Sequence, residues 1–273
     1  MNKDSKIINI YVNDNQKSLE TALIVKEKLE QKGFKPTFDF DENALINLCI
    51  GGDGAFLRAV HKYEFSTIPF VGINTGHLGF YQEILIPNID KFISDLINEN
   101  YGIEKISLLE SKTAIRNSSK TYTHKALNEF VVKSDDSSIV YLDVYIDDNH
   151  LESFAGDGII VSTPSGSTAY NFSAGGSVLY HGLDGFQVTP LAPINSKAYR
   201  SLLNSLVVPS KSNVTLYFRD HNFDRKSSIV LADGLNRSYD NVDYVNFTYS
   251  DQYINKLVFL KDWYWLNIKD KFL

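Results

Sequence analysis

The chain has 273 residues, 43% of them hydrophobic and 22% charged, which is typical of a globular protein with a substantial core. Its formal net charge of −6 argues against nucleic acid and anionic membranes as partners, because both attract a basic surface. The first residues lack the apolar core of a signal peptide, and no stretch approaches the roughly 20 apolar residues of a membrane span. The single cysteine, Cys49, has no internal disulfide partner, so we expect a cytoplasmic protein in a reducing compartment.

The first hundred residues alternate strand and helix patterns. Asp14 is the expected N-cap of the first helix, which has Leu19, Leu23 and Leu29 on its apolar side and ends at Gly33. This alternation predicts a mostly parallel sheet covered by helices. Predicted strands cover 6–12, 34–40, 45–50 and 67–73, and predicted helices cover 16–32, a segment that begins at residue 55, and 89–98.

A glycine-rich turn follows the third of these strands. Gly51-Gly52-Asp53-Gly54 ends the apolar run 45–50 directly before a helix start. Strand, glycine turn and helix N-terminus together form an anion site, because backbone N–H groups are exposed there and the helix dipole adds positive potential. Asp53 is then either a base that accepts a proton from a hydroxyl beside a bound phosphate, or a cap of the following helix.

After residue 101 the pattern changes to strands separated by polar turns. These strands predict a sandwich of antiparallel sheets. The fold class is therefore an α/β N-terminal domain over 1–101 and an all-β, sandwich-like C-terminal domain over 102–255, with an apolar tail over 256–273 that packs back on the first domain. The strands are predicted over 103–116, 120–133, 138–147, 153–162, 186–192, 205–209, 213–219, 226–232 and 242–249.

The second half contains its own glycine-bounded segment. Gly156-Asp157-Gly158 precedes the apolar run 159–161, and a loop with six Ser or Thr hydroxyls follows over 162–173, before Gly175-Gly176. The flanking β-branched residues and paired glycines favour a loop held tightly against a core. The segment is either a pocket for a polyhydroxylated ligand or a Ser/Thr-rich surface loop.

Taken in order, these motifs resemble those of the NAD kinase family over essentially the whole chain. The shared elements are the GGDG turn at 51–54, the pair Asn128-Glu129 on a strand, and TPSGSTAY at 163–170. The family transfers a phosphoryl group to the 2′-hydroxyl of the adenosine ribose of NAD, which produces NADP. The resemblance implies the same two-domain fold and the same reaction for this chain.

The resemblance also implies how the donor is bound. Gly51, Gly52 and Gly54 would hold the phosphates of ATP or inorganic polyphosphate, and Asp53 would orient the 2′-hydroxyl and accept its proton. Phosphoryl transfer is otherwise mostly positioning and charge neutralisation, and a divalent ion, Mg²⁺, on the donor phosphates would supply the latter.

Dinucleotide binding is assigned in the same way. Asn128 and Glu129 would meet ribose hydroxyls and adenine, and Tyr170 would present an aromatic face to the adenosine. Asp157 would meet the nicotinamide end from a neighbouring subunit, in a homotetramer. The implied NAD-binding residues are Asp53, Gly54, Arg58, Asn128, Glu129, Ala155, Asp157, Ser165, Thr168, Ala169, Tyr170, Asn171, Phe172, Ser173 and Ala192.

The chain departs from the family pattern at three places. Ala55 stands where Thr is usual, which removes a hydroxyl near the donor phosphates, and Ala155 stands where a basic residue is common. Arg58 would then be the cation that serves the NAD pyrophosphate. Asp233-Gly234 matches a further family site loosely and is interpreted as a plain turn. His77 could approach the active site; the other histidines are scattered without the spacing of metal ligands.

Three other functions remain as alternatives. Phosphofructokinases share the GGDG chemistry but are longer α/β proteins without an all-β second half. Lipid kinases share a two-domain plan, but their acceptors need an apolar channel, whereas the hydroxyl-rich segment 162–173 favours a nucleoside acceptor. A non-catalytic dinucleotide sensor would not require the Asp53 carboxylate.

Overall fold

The computed structural model describes residues 5–76, 79–195, 200–219 and 227–273. Within it the chain divides into two compact units. The first unit comprises Met1–Ile106 together with Tyr253–Leu273, and the second comprises Ser107–Gln252. His77 lies outside the described residues.

The described part of the chain contains these strands and helices, in chain order. The elements of the first hundred residues are β1 (Ile7–Val12), α1 (Gln16–Gln31), β2 (Lys35–Thr37), β3 (Ile46–Gly51), α2 (Asp53–Lys62), β4 (Phe70–Asn74), β5 (Ile84–Leu85) and α3 (Ile89–Ile97). Those that follow are β6 (Gly102–Ile115), β7 (Thr121–Ala126), β8 (Glu129–Ser134), β9 (Val140–Ile146), β10 (Asn149–Gly156), β11 (Gly158–Ser162), α4 (Tyr170–Ser173), β12 (Gly185–Leu191), β13 (Leu206–Pro209), β14 (Val214–Phe218), β15 (Ser228–Ala232), β16 (Leu235–Tyr239), β17 (Val242–Val258) and α5 (Trp263–Phe272). Short 3-10 turns cover Ile86–Asn88 and Ser165–Thr168.

The first unit is built on a parallel sheet in the order β4-β3-β1-β2, with β5 and the end of β17 both pairing parallel with β4. Alternate residues of a strand face opposite sides of a sheet. Val71 packs in a core with residues of α1 and α3, whereas the ring of Phe70 contacts Phe56 of α2. Helices therefore cover both faces, which is the α/β architecture that the strand–helix alternation predicts.

Helix α1 begins at Gln16, as the sequence predicts, but a different residue caps it. Its N-cap is Asn15, not Asp14, because the Asn15 Oδ1 accepts a hydrogen bond from the backbone N–H of Ser18. The predicted apolar side was also wrong in part, since Leu19 and Leu23 are 45% and 64% exposed. The buried side consists of Ser18, Thr21, Ala22, Val25 and Leu29.

The second unit is a sandwich of two antiparallel sheets. One sheet has the order β13-β12-β11-β8-β15-β16, and the other contains β10-β9-β14-β17, with β6 pairing with β17 and β7 pairing with β6. Side chains from both sheets, such as Phe130 of β8 and Phe247 of β17, meet in one core. This confirms the predicted α/β domain followed by a β-rich, sandwich-like domain.

Three details of the second unit differ from the sequence pattern. The segment predicted as one strand over 120–133 is two strands, β7 and β8, and the segment over 153–162 is likewise divided between β10 and β11. Strand β16 was not predicted, because its residues are mostly exposed at the edge of a sheet and lack an apolar pattern. None of the helices in the described residues is long and apolar enough to cross a membrane.

Candidate functional site

The first unit carries the GGDG turn between β3 and α2. A side chain at Gly51 would place its Cβ 2.6 Å from the Cβ of Ala55, so only glycine fits there. Gly52 is the N-cap of α2 and has open space where a Cβ would lie. The turn therefore offers a helix N-terminus and unobstructed backbone N–H groups, which suits a phosphate.

Asp53 is the first residue of α2, but its carboxylate does not cap the helix. Its Oδ2 accepts a hydrogen bond from the backbone N–H of Phe80 at 2.9 Å, and its Oδ1 accepts one from that of Tyr81 at 3.0 Å. The Nζ of Lys271 lies 3.4 Å from the same Oδ2. An ionised carboxylate has about four acceptor positions, so one remains for a ligand.

The segment 79–83 holds this carboxylate in place. A Cβ at Gly79 would lie 2.2 Å from the Asp53 Oδ1, so only glycine allows the segment to approach so closely. The Gln82 side chain donates a hydrogen bond to the carbonyl of Gly52 at 2.8 Å. Glu83 is buried, and its Oε2 accepts hydrogen bonds from the backbone N–H groups of Phe259 and Leu260. None of these contacts is visible in a local sequence pattern.

Two residues of α2 bear on the departures from the family pattern. Ala55 is 1% exposed and lies against Gly51, so its side chain fills the underside of the turn. Arg58 is exposed, and its guanidinium donates a hydrogen bond to the Asn13 Oδ1 at 2.5 Å. A Cβ at Gly54 would lie 3.4 Å from the Arg58 guanidinium, which places a cation beside the glycine turn.

In the second unit the Asn128-Glu129 pair lies beside the hydroxyl-rich loop. Glu129 pairs with Ser162 where β8 meets β11. The Thr163 hydroxyl donates a hydrogen bond to the carbonyl of Leu127 at 2.7 Å, and a Cβ at Gly166 would lie 2.1 Å from the carbonyl oxygen of Asn128. The structure therefore brings these two predicted motifs together in one place.

The carboxylate of Asp233 binds the backbone at the start of β8. Its carboxylate accepts hydrogen bonds from the backbone N–H groups of Leu127, Asn128 and Glu129, at 2.8, 2.7 and 3.2 Å. Asp233 itself has a φ of +49°, a conformation that Asp and Asn tolerate better than most residues. Asp233 is thus more than the plain turn residue that the sequence indicates, because it fixes the backbone of the Asn128-Glu129 pair.

Glu129 is buried, and its Oε2 has no hydrogen-bond partner among the described residues. Burial and, to a smaller extent, the nearby Asp233 carboxylate together raise the pKa of this carboxyl group to about 8. The group is therefore mainly protonated at neutral pH and can donate a hydrogen bond as well as accept one. A buried carboxyl group with an unpartnered oxygen has hydrogen-bonding capacity to offer a ligand.

The loop 162–173 presents both exposed and buried side chains. The ring of Tyr170 and that of Phe172 are 49% and 41% exposed. Asn171, in contrast, is fully buried: its amide nitrogen donates to the carbonyls of Ser167 and Ser177, and its Oδ1 accepts from the Thr189 hydroxyl. The Asn171 side chain thus holds the loop in shape. Ser165, Thr168 and Ala169 are partly exposed, and Ser173 is exposed.

The remaining predicted residues lie at the other end of β11. Asp157 is exposed, precedes Gly158, and donates its backbone N–H to the carbonyl of Leu191 at 3.0 Å. Ala192 follows β12 and is exposed, whereas Ala155 in β10 is fully buried. Strand β11 is five residues long and Asp157 directly precedes it. Because a strand rises about 3.3 Å per residue, Asp157 is roughly 17 Å from Ser162, which pairs with Glu129. One chain therefore does not bring Asp157 and Glu129 together.

The described residues contain no cluster of three or more His, Cys, Asp or Glu side chains that could hold a metal ion. The carboxylate of Asp53 lies next to the glycine turn, and backbone N–H groups and Lys271 already contact it. Mg²⁺ commonly keeps several waters and uses one or two carboxylates plus substrate phosphates. The residues present therefore fit an ion that arrives with the phosphoryl donor.

Comparison with known proteins agrees with this arrangement. Residues 12–101 match the model of the ATP-NAD kinase N-terminal domain, and residues 127–258 match that of the ATP-NAD kinase C-terminal domain. The NAD kinase of Finegoldia magna is 99% identical over 273 residues, which is 100% of both chains. The NAD kinase of Leuconostoc mesenteroides is 34% identical over 257 residues, covering 93% of this chain and 95% of the relative.

Solved structures share the fold. A crystal structure of yeast NADH kinase complexed with NADH has a TM-score of 0.82 and 19% identity, covering 98% of this chain and 87% of that one. An NAD kinase from Archaeoglobus fulgidus in complex with ATP has a TM-score of 0.74 and 22% identity, covering 96% of each chain. With both domain models matched in order and relatives similar over nearly the full length, the chain belongs to the NAD kinase family.

Proposed function

We propose that this chain carries out the reaction of its family through Asp53, which accepts the proton of the 2′-hydroxyl of the adenosine ribose of NAD. The ribose oxygen then forms a bond to the terminal phosphorus of the donor, and the bond from that phosphorus to the leaving phosphate oxygen breaks. With ATP the products are NADP and ADP, and the proton passes from Asp53 to solvent.

The observation that carries this proposal is the setting of the Asp53 carboxylate. It lies at the start of α2, directly after the glycine turn, and is held by the backbone N–H groups of Phe80 and Tyr81. A carboxylate fixed by rigid backbone donors next to an anion site is suited to orient a hydroxyl beside a phosphate.

The first unit would bind the donor. Gly51, Gly52 and Gly54 leave the backbone N–H groups at the start of α2 accessible. The exposed Arg58 beside them would serve the NAD pyrophosphate. Mg²⁺ bound to the donor phosphates would neutralise charge that develops during transfer. Both ATP and inorganic polyphosphate offer the terminal phosphoryl group that such a site recognises, and either donor is part of the proposal.

The second unit would bind the dinucleotide. The buried Glu129 carboxyl and the Asn128 amide would meet adenosine atoms, and the exposed ring of Tyr170 offers a face on which a base can stack. Ser165, Thr168, Ala169, Phe172 and Ser173 would surround the adenosine, while Asn171 would keep the loop in place.

We further propose a homotetramer in which Asp157 serves the nicotinamide end of NAD in a neighbouring subunit. Asp157 is exposed and lies at the opposite end of β11 from Glu129, which fits a role outside its own chain's adenosine site. The single cysteine, Cys49, is buried in β3 and forms no disulfide, which is compatible with a reducing, cytoplasmic location.

The proposal is tested by measuring NADP formation from NAD with ATP and with polyphosphate in turn, at several Mg²⁺ concentrations. Asp53→Asn should lower kcat by about 10²–10⁴-fold, because it keeps the shape and removes the proton acceptor. Asp90→Asn is a matched control: Asp90 stands in the first turn of α3 and makes an exposed ion pair with Lys28. Near-normal kcat in Asp53→Asn would overturn the assignment of the base.

A further inference from the structure

The C-terminal helix α5 brings a cation to Asp53. The Nζ of Lys271 lies 3.4 Å from the Asp53 Oδ2 and 4.6 Å from the centre of the Phe80 ring. The two charged residues are 218 positions apart in the chain. An ammonium group over an aromatic face is attracted by the ring electrons, so Phe80 and Asp53 together define one position for this cation.

Aromatic contacts hold α5 in a position from which Lys271 reaches Asp53. The Phe80 ring lies between Tyr264 and Phe272, with ring centres 6.1 and 6.2 Å away. Trp263 is buried at the beginning of the helix. The chain that enters α5 is anchored as well, because the backbone N–H groups of residues 259 and 260 bond to buried Glu83. The position of Lys271 therefore does not depend on its own ion pair.

The ion pair adds little to the stability of the fold. The Lys271 and Asp53 side chains are 29% and 28% exposed, and partly exposed pairs of this kind contribute little because water and salt screen them. The positive charge of Lys271 matters more for donor binding than for stability. Donor phosphates that approach the glycine turn would be repelled by the Asp53 carboxylate. Unless a cation is close, this repulsion would displace the carboxylate or weaken donor binding.

We propose that Lys271 is a positioning residue for Asp53. Its ammonium group keeps the Oδ2 directed toward the backbone N–H of Phe80, leaves an acceptor position free for the ribose hydroxyl, and offsets the carboxylate charge when the anionic donor binds. The inference rests on the proposed role of Asp53 as the base. It assigns a functional part to α5, which no motif in the sequence indicates.

Replacement of Lys271 should affect turnover more than binding. Lys271→Met should lower kcat about tenfold, the effect of removing one charge-assisted contact in the transition state, with a much smaller change in KM for NAD. Lys271→Arg should restore most of the loss. Lys269→Met, at an exposed position two residues earlier in the same helix, is the matched control and should keep normal kcat.

Two further measurements separate this role from a structural one. Added ethylammonium should partly restore turnover of Lys271→Ala, because the site is open enough to admit a small cation, and should not stimulate Lys269→Ala. In the Asp53→Asn background, Lys271→Met should cause no further loss, because residues that act as a unit are not additive.

The outcomes distinguish the inference from the proposed function. An unaffected kcat in Lys271→Met together with an inactive Asp53→Asn would overturn the inference alone. An undiminished tenfold effect of Lys271→Met in the Asp53→Asn background would also overturn it, because Lys271 would then act independently of Asp53. An active Asp53→Asn variant would overturn the proposed base itself. Calorimetric NAD binding equal to that of the unmodified chain shows that each variant is folded.

Discussion

The carboxylate of Asp233 accepts a hydrogen bond from the backbone N–H of Asn128 across 2.7 Å, although the two residues are 105 positions apart. The same carboxylate accepts two more backbone N–H groups, those of Leu127 and Glu129. Leu127 and Asn128 lie between β7 and β8, and Glu129 is the first residue of β8. Asp233 therefore determines the backbone conformation from which Asn128 and Glu129 extend.

Replacement of Asp233 should weaken NAD binding. Asp233→Ala leaves three backbone donors without their acceptor, and each such loss costs about 1–3 kcal/mol if the group stays buried. We expect at least a tenfold weaker Kd by calorimetry, with Asp233→Asn intermediate because it keeps one oxygen. Asp240→Ala, a turn residue that bonds only to Ser227 among the described contacts, is the control. Equal affinity in Asp233→Ala would contradict the positioning role.

Glu129 should make the stability of the protein fall as the pH rises. Its pKa is about 8 in the folded chain and 4.5 in the unfolded one, so the unfolded chain loses this proton first. Between about pH 4.5 and 8 the free energy of unfolding should therefore decrease by up to about 1.4 kcal/mol per pH unit from this group, and level off above pH 8. Below pH 4.5 both states hold the proton and the effect disappears.

Urea unfolding at several pH values measures this contribution. Glu129→Gln should reduce the slope of stability against pH, because Gln has no proton to lose. If the curves for Glu129→Gln and the unmodified chain run parallel from pH 5 to 8, Glu129 is not held protonated by the fold.

The buried ion pair between Lys256 and Glu83 should matter for folding of the first unit. The two side chains are 5% and 2% exposed. Removing one partner of such a pair leaves an uncompensated buried charge, which typically costs about 3–5 kcal/mol. Lys256→Met should lower the denaturation midpoint accordingly, and adding Glu83→Gln should recover part of the loss. Lys261→Met, at an exposed position, is the control, and an equal midpoint for it and Lys256→Met would contradict the prediction.

Activity should depend on assembly if Asp157 serves a neighbouring subunit. Asp53→Asn and Asp157→Ala should each be poor alone. Mixed oligomers of the two should regain activity, because some sites would combine an intact Asp53 with an intact Asp157 from the partner. Sedimentation analysis verifies the mixing. A fully active monomer, or no recovery in verified mixed oligomers, would exclude a shared site.

The sequence predicts the order of the strands and helices well, but it predicts poorly which side chains are buried and what they contact. Glycines at 51–54 after an apolar run indicate a strand, a turn and a helix, and β3 and α2 confirm this. The buried side of α1 was predicted from its leucines, but Ser18 and Thr21 face inward because their hydroxyls find partners in Thr75 and the carbonyl of Lys17. Apolar periodicity does not detect a small polar residue whose hydrogen bonds are satisfied.

The missed parts of the site have a common cause. Strand patterns continue across 120–133 and 153–162, so the breaks before Glu129 and at Asp157 were not visible. The side chains that hold the site residues also come from distant parts of the chain, as Asp233 does for Asn128 and Lys271 does for Asp53. Local patterns carry no information on contacts between residues more than a hundred positions apart.

Cys49 has a practical consequence. It is the single cysteine of the sequence, and it lies fully buried in β3 with a thiol whose pKa burial raises above the usual value. Thiol-reactive dyes require an accessible thiolate, so the native chain should stay unlabelled while folded. A cysteine introduced at an exposed position can then be labelled selectively without first removing the native one. Fluorescence or distance measurements during catalysis therefore need only one substitution per label.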